Sequence, residues 1–263
     1  MTLQQIFEEL ELPRSGVLYV QSSTDWLQKA GFSGSDTLTA LQEWTSAGTL
    51  VMPTYPFRTT HVEYLRSSPR FDVRKSAVAI GLIPEVFRRM EGVQRSLDPD
   101  FSIAALGRDS RDIVRIDAAD EDPFSRDSVY SRLIERGAMM VGLGVSLNTT
   151  SFIHVIDSHL SGDYPHAVYG GRFAVEVVDD SNRVSTVWRR ALRPEFQQLT
   201  QPSAIVAATA DLPIYRSRVV NGANFFRCDL PRWATWCDSH GAAAAAANRW
   251  PCWLSRLGER RPA

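Results

Sequence analysis

Four segments within the first 53 residues constrain the fold of this chain more than any other feature. Residues 3–12 carry apolar side chains at helical spacing and stop at Pro13. Gly16-Val17-Leu18-Tyr19-Val20 is a short apolar run ending in the polar Gln21-Ser22-Ser23, which is how a buried parallel strand delivers polar groups to a sheet edge. Residues 36–47 form a second helical stretch closed by Gly48, since glycine commonly sits just past a helix end. Thr49-Leu50-Val51-Met52 is a second strand, broken by Pro53. Helix, strand, helix, strand is the pattern of a sheet with parallel strands covered by helices.

The 263 residues, 44% of them apolar, can bury a full core. The expected architecture is an α/β fold in three layers, a mixed and largely parallel sheet with helices on both faces. It is expected as one domain over residues 1–263, with a motif-bearing core at about 15–165 and a hairpin and helices in 166–263. Residues 55–74, interrupted by Pro56 and Pro69, are expected to be a long irregular excursion that forms a binding wall. A helix is expected over 79–90, a loop over 92–102, an apolar segment over 103–107, a helix over 128–136 and a strand over 138–143. Residues 172–178 and 183–188 alternate around Asp179-Asp180-Ser181-Asn182, which predicts an antiparallel hairpin. The tail from 233 to 257 is helical in outline, with an alanine run at 242–247 and a break at Pro251.

Charge and composition remove several functions. With 29 basic and 30 acidic residues the net charge is -1, so no global field points to nucleic acid or to an anionic membrane. The opening MTLQQIFEELEL lacks the basic region and apolar run of a signal peptide. No segment approaches the roughly 20 apolar residues of a membrane span, and a cytoplasmic location is expected. Cys228, Cys237 and Cys252 form an odd set without a CxxC pair, which reads as small buried residues rather than a disulfide framework or zinc ribbon. The tryptophans Trp233, Trp236, Trp250 and Trp253 read as core or as a partner surface, leaving a homodimer open.

Chemistry concentrates between Met139 and Asp157, in MMVGLGVSLNTTSFIHVID. This is a buried strand, a glycine-relieved turn, a cluster of small hydrogen-bonding residues and then a helix. His154 and Asp157 lie three residues apart, on one helix face, so the carboxylate can orient the imidazole and hold its tautomer. An oriented histidine at the end of a strand is a candidate general base. Gly142 and Gly144 lack the third glycine of a dinucleotide fingerprint, and they close a late strand. His154, Asp157 and His159, with His166 and Asp163 nearby, also permit a metal reading, although their spacing matches no known ligand pattern.

Five stretches, in order, give the chain a family resemblance. Val20-Gln21-Ser22-Ser23 resembles a Val-His-Ser-Ser motif, and Gly48-Thr49-Leu50-Val51-Met52-Pro53-Thr54 a second-strand motif. The third runs from Phe71-Asp72 through Gly81 and Pro84-Glu85-Val86-Phe87-Arg88 to Gly92 and Arg95-Ser96. In the fourth, Pro99 with Ser102-Ile103-Ala104-Ala105-Leu106-Gly107 is similar to His-Pro-x-His-Ser-x-x-Ala-x-Gly, and the fifth is the His154 segment. Together they resemble the aminoglycoside 3-N-acetyltransferase family, the antibiotic N-acetyltransferase fold.

The resemblance implies transfer from acetyl-CoA or another acyl-CoA to an amine, usually of an amino sugar. It assigns His154 as general base and Asp157 as its orienting acid. Ser22, Ser23, Arg95, Ser96, Ser102, Asn148, Thr149, Thr150 and Ser151 would lie along the acyl-CoA channel. Gln21, Tyr55, Asp72, Asp98 and Asp100 would face the acceptor, where an acidic pair around Pro99 suits a cationic sugar. Gln21, Asp98 and Phe101 stand where the family carries histidines, and Asp157 where it carries glutamate, which implies a changed acceptor or acyl group.

Acyl transfer from a thioester to an amine needs an unprotonated amine, donors aimed at the tetrahedral oxyanion, and a base for the released proton. Backbone amides at the start of the His154 helix, or the hydroxyls of Ser22, Ser23 and Thr150, are candidate oxyanion donors. The thioester is already activated, so no covalent enzyme intermediate is required. The paired arginines Arg88-Arg89 and Arg189-Arg190 read as solvated faces, with one of them a candidate for the CoA phosphates. The alternatives are a non-catalytic relative that binds CoA or a sugar, and a metal-dependent hydrolase built on His154, Asp157 and His159.

Overall fold

The computed structural model describes residues 1–115, 120–160, 167–194 and 199–257. Among these, the strands are β1 (Val17–Ser22), β2 (Thr49–Pro53), β3 (Arg70–Asp72), β4 (Gln94–Arg95), β5 (Ile103–Gly107), β6 (Met139–Leu143), β7 (Tyr169–Val178), β8 (Val184–Leu192), β9 (Tyr215–Val220) and β10 (Ala223–Asp229). The helices are α1 (Leu3–Glu9), α2 (Thr24–Lys29), α3 (Gly34–Trp44), α4 (His61–Arg66), α5 (Leu82–Phe87), α6 (Ser110–Ile113), α7 (Val129–Glu135), α8 (Ile153–His159), α9 (Pro202–Ala208) and α10 (Leu230–Ala246).

Seven strands form one mixed sheet in the order β4-β5-β2-β1-β6-β10-β9. Its centre is parallel, β1 pairing with β2 on one side and β6 on the other. The outer pairs β2–β5, β4–β5, β6–β10 and β9–β10 are antiparallel. Parallel pairing is therefore confined to the apolar centre of a sheet whose flanks run the other way.

Strand periodicity divides the core into two layers. Val17, Tyr19, Val51, Ile103, Met140 and Phe226 point to one face, against α7, α8 and α10. Leu18, Val20, Leu50, Met52, Val141 and Phe225 point to the other, against α1, α2, α3 and α5. Successive side chains on a strand face opposite ways, and each fully buried one contributes about 1.5–3 kcal/mol. The three-layer arrangement expected from the opening segments is present. The tryptophans resolve as core, Trp233 and Trp253 being fully buried and Trp236 and Trp250 packing against the same cluster.

Several local elements exceed the sequence expectations. Ser23 caps the short helix α2. The excursion at 55–74 contains α4, begun by a capping box of Thr60 and Glu63, and also β3. The loop at 92–102 contains β4, and the helix at 79–90 shortens to α5. The hairpin β7–β8 forms as expected but recruits β3 in parallel to make a separate three-stranded sheet. A second hairpin, β9–β10, turns at Asn221-Gly222, whose φ angles are +48° and +82°; two positive φ values suit the tight turn that follows strand twist. Edge strand β9 is tied to the N-terminal helix region by Arg216 Nη1 to Glu11 Oε1 at 2.6 Å and by an ion pair of Arg218 with Glu9.

Gly142 is required by packing. A Cβ there would stand 2.0 Å from Cε1 of Phe226 on the neighbouring strand β10. Gly144, at φ +73°, follows the strand, and a Cβ there would stand 2.8 Å from Cβ of Trp26. Gly142→Ala is expected to destabilise the fold by about 1–3 kcal/mol through overpacking, read as a lower urea midpoint. An unchanged midpoint would show that Phe226 yields freely.

Candidate active site

A cleft of about 710 Å³ opens at the carboxyl ends of the three parallel strands, within the range of about 300–1,000 Å³ typical of ligand pockets. The chain passes from β1 to β2 on one side while β6 flanks β1 on the other. Such a switch in strand order leaves a crevice beyond the strand ends. Gln21, Ser22, Ser23, Asp25 and Gln28 line one wall, Pro53 ends β2 and Tyr55 and Arg58 follow it, Gly81, Leu82 and Pro84 come from the α5 region, and Val145 and Thr149 follow β6. The structure therefore brings Gln21, Ser22, Ser23, Tyr55 and Thr149 together, and the Gln21 Nε2 donates to the Thr149 carbonyl at 3.3 Å.

The α5 wall is fastened by Glu85. Its carboxylate accepts from the Val78 N–H at 2.7 Å, Arg88 Nε at 2.6 Å and Arg89 Nε at 2.6 Å. Burial alone would raise its pKa, but the hydrogen bonds from Arg88, Val78 and Arg89 bring it down to about 2. A depressed folded pKa means stability that is full above the unfolded value near 4.5 and lost as pH falls toward 2. Glu85→Gln is expected to remove about 1–3 kcal/mol at neutral pH and to flatten the acid limb of a stability-versus-pH curve; an acid limb like the parent's would contradict it.

His154 lies on α8, reached from β6 through a 3-10 turn at Leu147–Thr149. Its side chain is 11% exposed, and its Nδ1 is 3.3 Å from Oδ2 of the fully buried Asp157. An ionised carboxylate there keeps the proton on Nδ1 and leaves Nε2 as the basic edge. The ring of Phe124 stands 5.3 Å away, centroid to centroid. His154 is not among the residues lining the described cleft; its backbone N–H donates to the Ser151 carbonyl at 3.1 Å, and the Ser151 side chain meets Tyr55 of the cleft wall.

Tyr55 belongs to a cluster of tyrosine hydroxyls. Tyr130 donates to the Tyr55 hydroxyl at 2.6 Å, the Tyr19 hydroxyl lies 3.4 Å from it, and Tyr55 donates to Ser151 Oγ at 2.9 Å. Each hydroxyl has one proton and two lone pairs, so with Tyr55 donating to it, Ser151 keeps its own proton to give. Burial raises the pKa of Tyr55, and of Tyr19 and Tyr130 still further, so the cluster stays neutral. Tyr19 and Tyr130 were not among the sequence candidates; a tyrosine inside the apolar run of β1 is itself the signal, because a buried phenol needs a partner.

Other candidates belong to the framework instead. Arg95 donates to the carbonyls of Thr54 at 2.7 Å and Ser76 at 2.6 Å and lies over the Phe71 ring; burial lowers its pKa to about 9. Ser96 Oγ accepts from the Ile103 N–H at 3.0 Å, and Ser102 Oγ donates to the Thr54 carbonyl at 2.7 Å. Thr150 Oγ1 is 3.1 Å from Met140 Sδ, and Asn148 Oδ1 accepts from the Ser203 N–H at 2.8 Å beside α9. Asp72 caps its own turn through the N–H groups of Arg74 and Lys75. These groups hold partners within the protein and are not among the residues that line the described cleft.

The acidic pair is corrected most sharply. Asp98 and Asp100 are 3% and 0% exposed and do not line the described cleft. Arg189, expected on a solvated face, is buried between them, with Nη2 3.1 Å from Asp98 and Nε 3.3 Å from Asp100. His61 Nε2 is 2.8 Å from Asp100 Oδ2, and its Nδ1 accepts the Leu192 N–H at 2.9 Å, which fixes the proton on Nε2. Burial and the adjacent Asp100 push Asp98 well above the usual carboxylate range despite Arg189. Asp100, equally buried, is held far below it by Arg189 and by hydrogen bonds from Asp98 and His61. Arg189 shares the inward face of β8 with Val187 and Ala191, the alternation that could have marked it as internal.

Cys228 and Cys237 are buried free thiols, and burial raises the pKa of both, which makes them poor nucleophiles. Asp163 and His166 of the metal reading lie outside the described residues. Among the described residues no group of three or more His, Cys, Asp or Glu could hold a metal ion. No described helix is long and apolar enough to cross a membrane.

The fold is that of known acetyltransferases. It matches AAC-IIIb in binary complex with CoASH with a TM-score of 0.71 at 18% identity, covering 98% of this chain and 96% of that one. It matches the YokD protein of Bacillus subtilis with a TM-score of 0.67 at 19% identity, covering 90% and 96%. A family model of aminoglycoside 3-N-acetyltransferase matches residues 20–238, and the chain belongs to that family. It is 34% identical over 113 residues to aminoglycoside N(3)-acetyltransferase VII of Streptomyces paromomycinus. The match takes in 42% of this chain and spans 36%, about a third, of the length of that curated relative.

Proposed function

We propose that the chain transfers an acyl group from an acyl-CoA thioester to the amine of an amino sugar, in a ternary complex, with His154 as general base and Asp157 orienting it. The observation that carries this reading is the His154–Asp157 pair on α8, whose helix start is tied by the His154 N–H to the Ser151 carbonyl, while the Ser151 hydroxyl accepts from Tyr55 of the cleft at the parallel strand ends. The thioester supplies an activated carbonyl, so the protein's tasks are positioning and proton transfer. The amine nitrogen attacks the carbonyl carbon and a C–N bond forms as its proton passes to Nε2 of His154. Collapse breaks the C–S bond, and the departing thiolate takes a proton from the imidazolium. The products are an amide and free CoA.

Ser22 and Ser23, which line the cleft, carry the hydroxyls offered to the oxyanion, whereas the Thr150 hydroxyl is engaged with Met140. Gln21 and Tyr55 are the expected acceptor contacts, in a cleft large enough for both substrates. The test is mass spectrometry of products from a matrix of acyl-CoAs and amino sugars, with free thiol measured in parallel. An acylated amine with stoichiometric thiol supports the reading. Stabilisation by CoA without thiol release for any acceptor would replace it with a non-catalytic binding role.

A further inference from the structure

We infer that Arg58 is the phosphate-binding residue of this cleft and sets its preference for a nucleotide-bearing acyl donor over a bare thioester. Arg58 lies on the segment after β2, exposed at the cleft wall. The charged side chains lining the described cleft are Asp25 and Arg58. Arg58 is also fixed in orientation. Its Nε donates to the Ala79 carbonyl, while the Ala79 N–H donates to the Tyr55 carbonyl at 2.8 Å. The two bonds lock the Arg58 segment to the opposite strand of loop, and with Nε engaged the Nη1/Nη2 edge is the one presented. That flat edge matches two oxygens of a phosphate at once.

The arginines first considered for this role are committed elsewhere. Arg88 and Arg89 both hold Glu85, Arg189 is buried on Asp98 and Asp100, and Arg190 is 3.2 Å from Asp122. Arg58 makes no ion pair with a carboxylate among the described residues. Beside it the wall changes to Gly81, Leu82 and Pro84, with Leu82 61% exposed. A cationic end next to an apolar and hydroxyl-lined slot fits a ligand with phosphates at one end and a neutral amide arm.

The inference rests on the acyl-CoA reading for its ligand, but its test needs no turnover. Calorimetry with CoA and with pantetheine, which lacks the phosphates, is run on the parent chain, Arg58→Ala and Arg58→Lys. Expected are tighter binding of CoA than of pantetheine by the parent and a loss of about tenfold for CoA in Arg58→Ala (about 1.4 kcal/mol). Pantetheine binding should be unchanged, and Arg58→Lys should fall between, because a point charge cannot bind two oxygens in one plane. Equal affinity of the parent for both probes, no binding of either, or an equal loss for both in Arg58→Ala would overturn it. Arg58-dependent CoA binding without any acyl transfer would instead remove the transferase reading and leave this inference standing.

Discussion

Replacing His154 with alanine is expected to lower kcat for acyl transfer by about 10²- to 10⁴-fold, the usual contribution of a positioned general base. The loss should fall on kcat and leave the KM for acyl-CoA within a few-fold, because His154 is not among the residues lining the described cleft. Among the described residues, the carboxylate beside the imidazole is Asp157, on the same helix face three residues on. Asp157→Asn should therefore keep the ring in place but lose the charge that stabilises the imidazolium, for a smaller drop than His154→Ala. Thermal unfolding of each variant separates lost chemistry from lost fold, since Asp157 is fully buried. Activity of His154→Ala within threefold of the parent, on a folded protein, would move the base elsewhere.

Arg189→Leu is expected to destabilise the protein by about 3–5 kcal/mol, the cost of removing one partner from a buried ionic cluster. The guanidinium sits between two carboxylates that are almost without solvent. Arg189 holds the Asp100 carboxyl low, whereas burial pushes the Asp98 carboxyl up. Asp100→Asn should thus cost more than Asp98→Asn, read as the order of urea midpoints. A carboxyl whose folded pKa lies below its unfolded value contributes stability above the unfolded value and loses it as pH falls. The Asp100 contribution should fade on acidification below the ordinary carboxylate range, and Asp100→Asn should lack that fading. Equal midpoints for the two asparagine variants would sink the assignment.

What the sequence made visible, and what it hid, follows from the range of the interactions. The strands β1 and β2 were legible because each is an apolar run closed by a polar or proline residue. Residues at their carboxyl ends, Gln21 to Ser23, necessarily open onto a crevice, and the cleft is there. The His154–Asp157 spacing was equally local. The short strand β3 was not legible, since three residues carry no period and its partner β7 comes far later in the chain. Hairpin β9–β10 was missed although Asn221-Gly222 is a direct turn signal. Asp98 and Asp100 looked like a surface pair because Arg189 arrives on a distant hairpin, and only tertiary packing brings its charge to them.

The hairpin that completes the large sheet also ends it. A sheet edge is a row of unpaired backbone groups that can template another chain, and proteins blunt it with charge or brevity. Here β9 carries Arg216 and Arg218, each answered by a glutamate near the N-terminal helix. The opposite edge, β4, is only two residues long. Neither border offers a long, neutral ladder, so the β-sheet terminates within its own chain, and the ion pairs that fasten the first helix to the edge double as a guard against runaway strand addition.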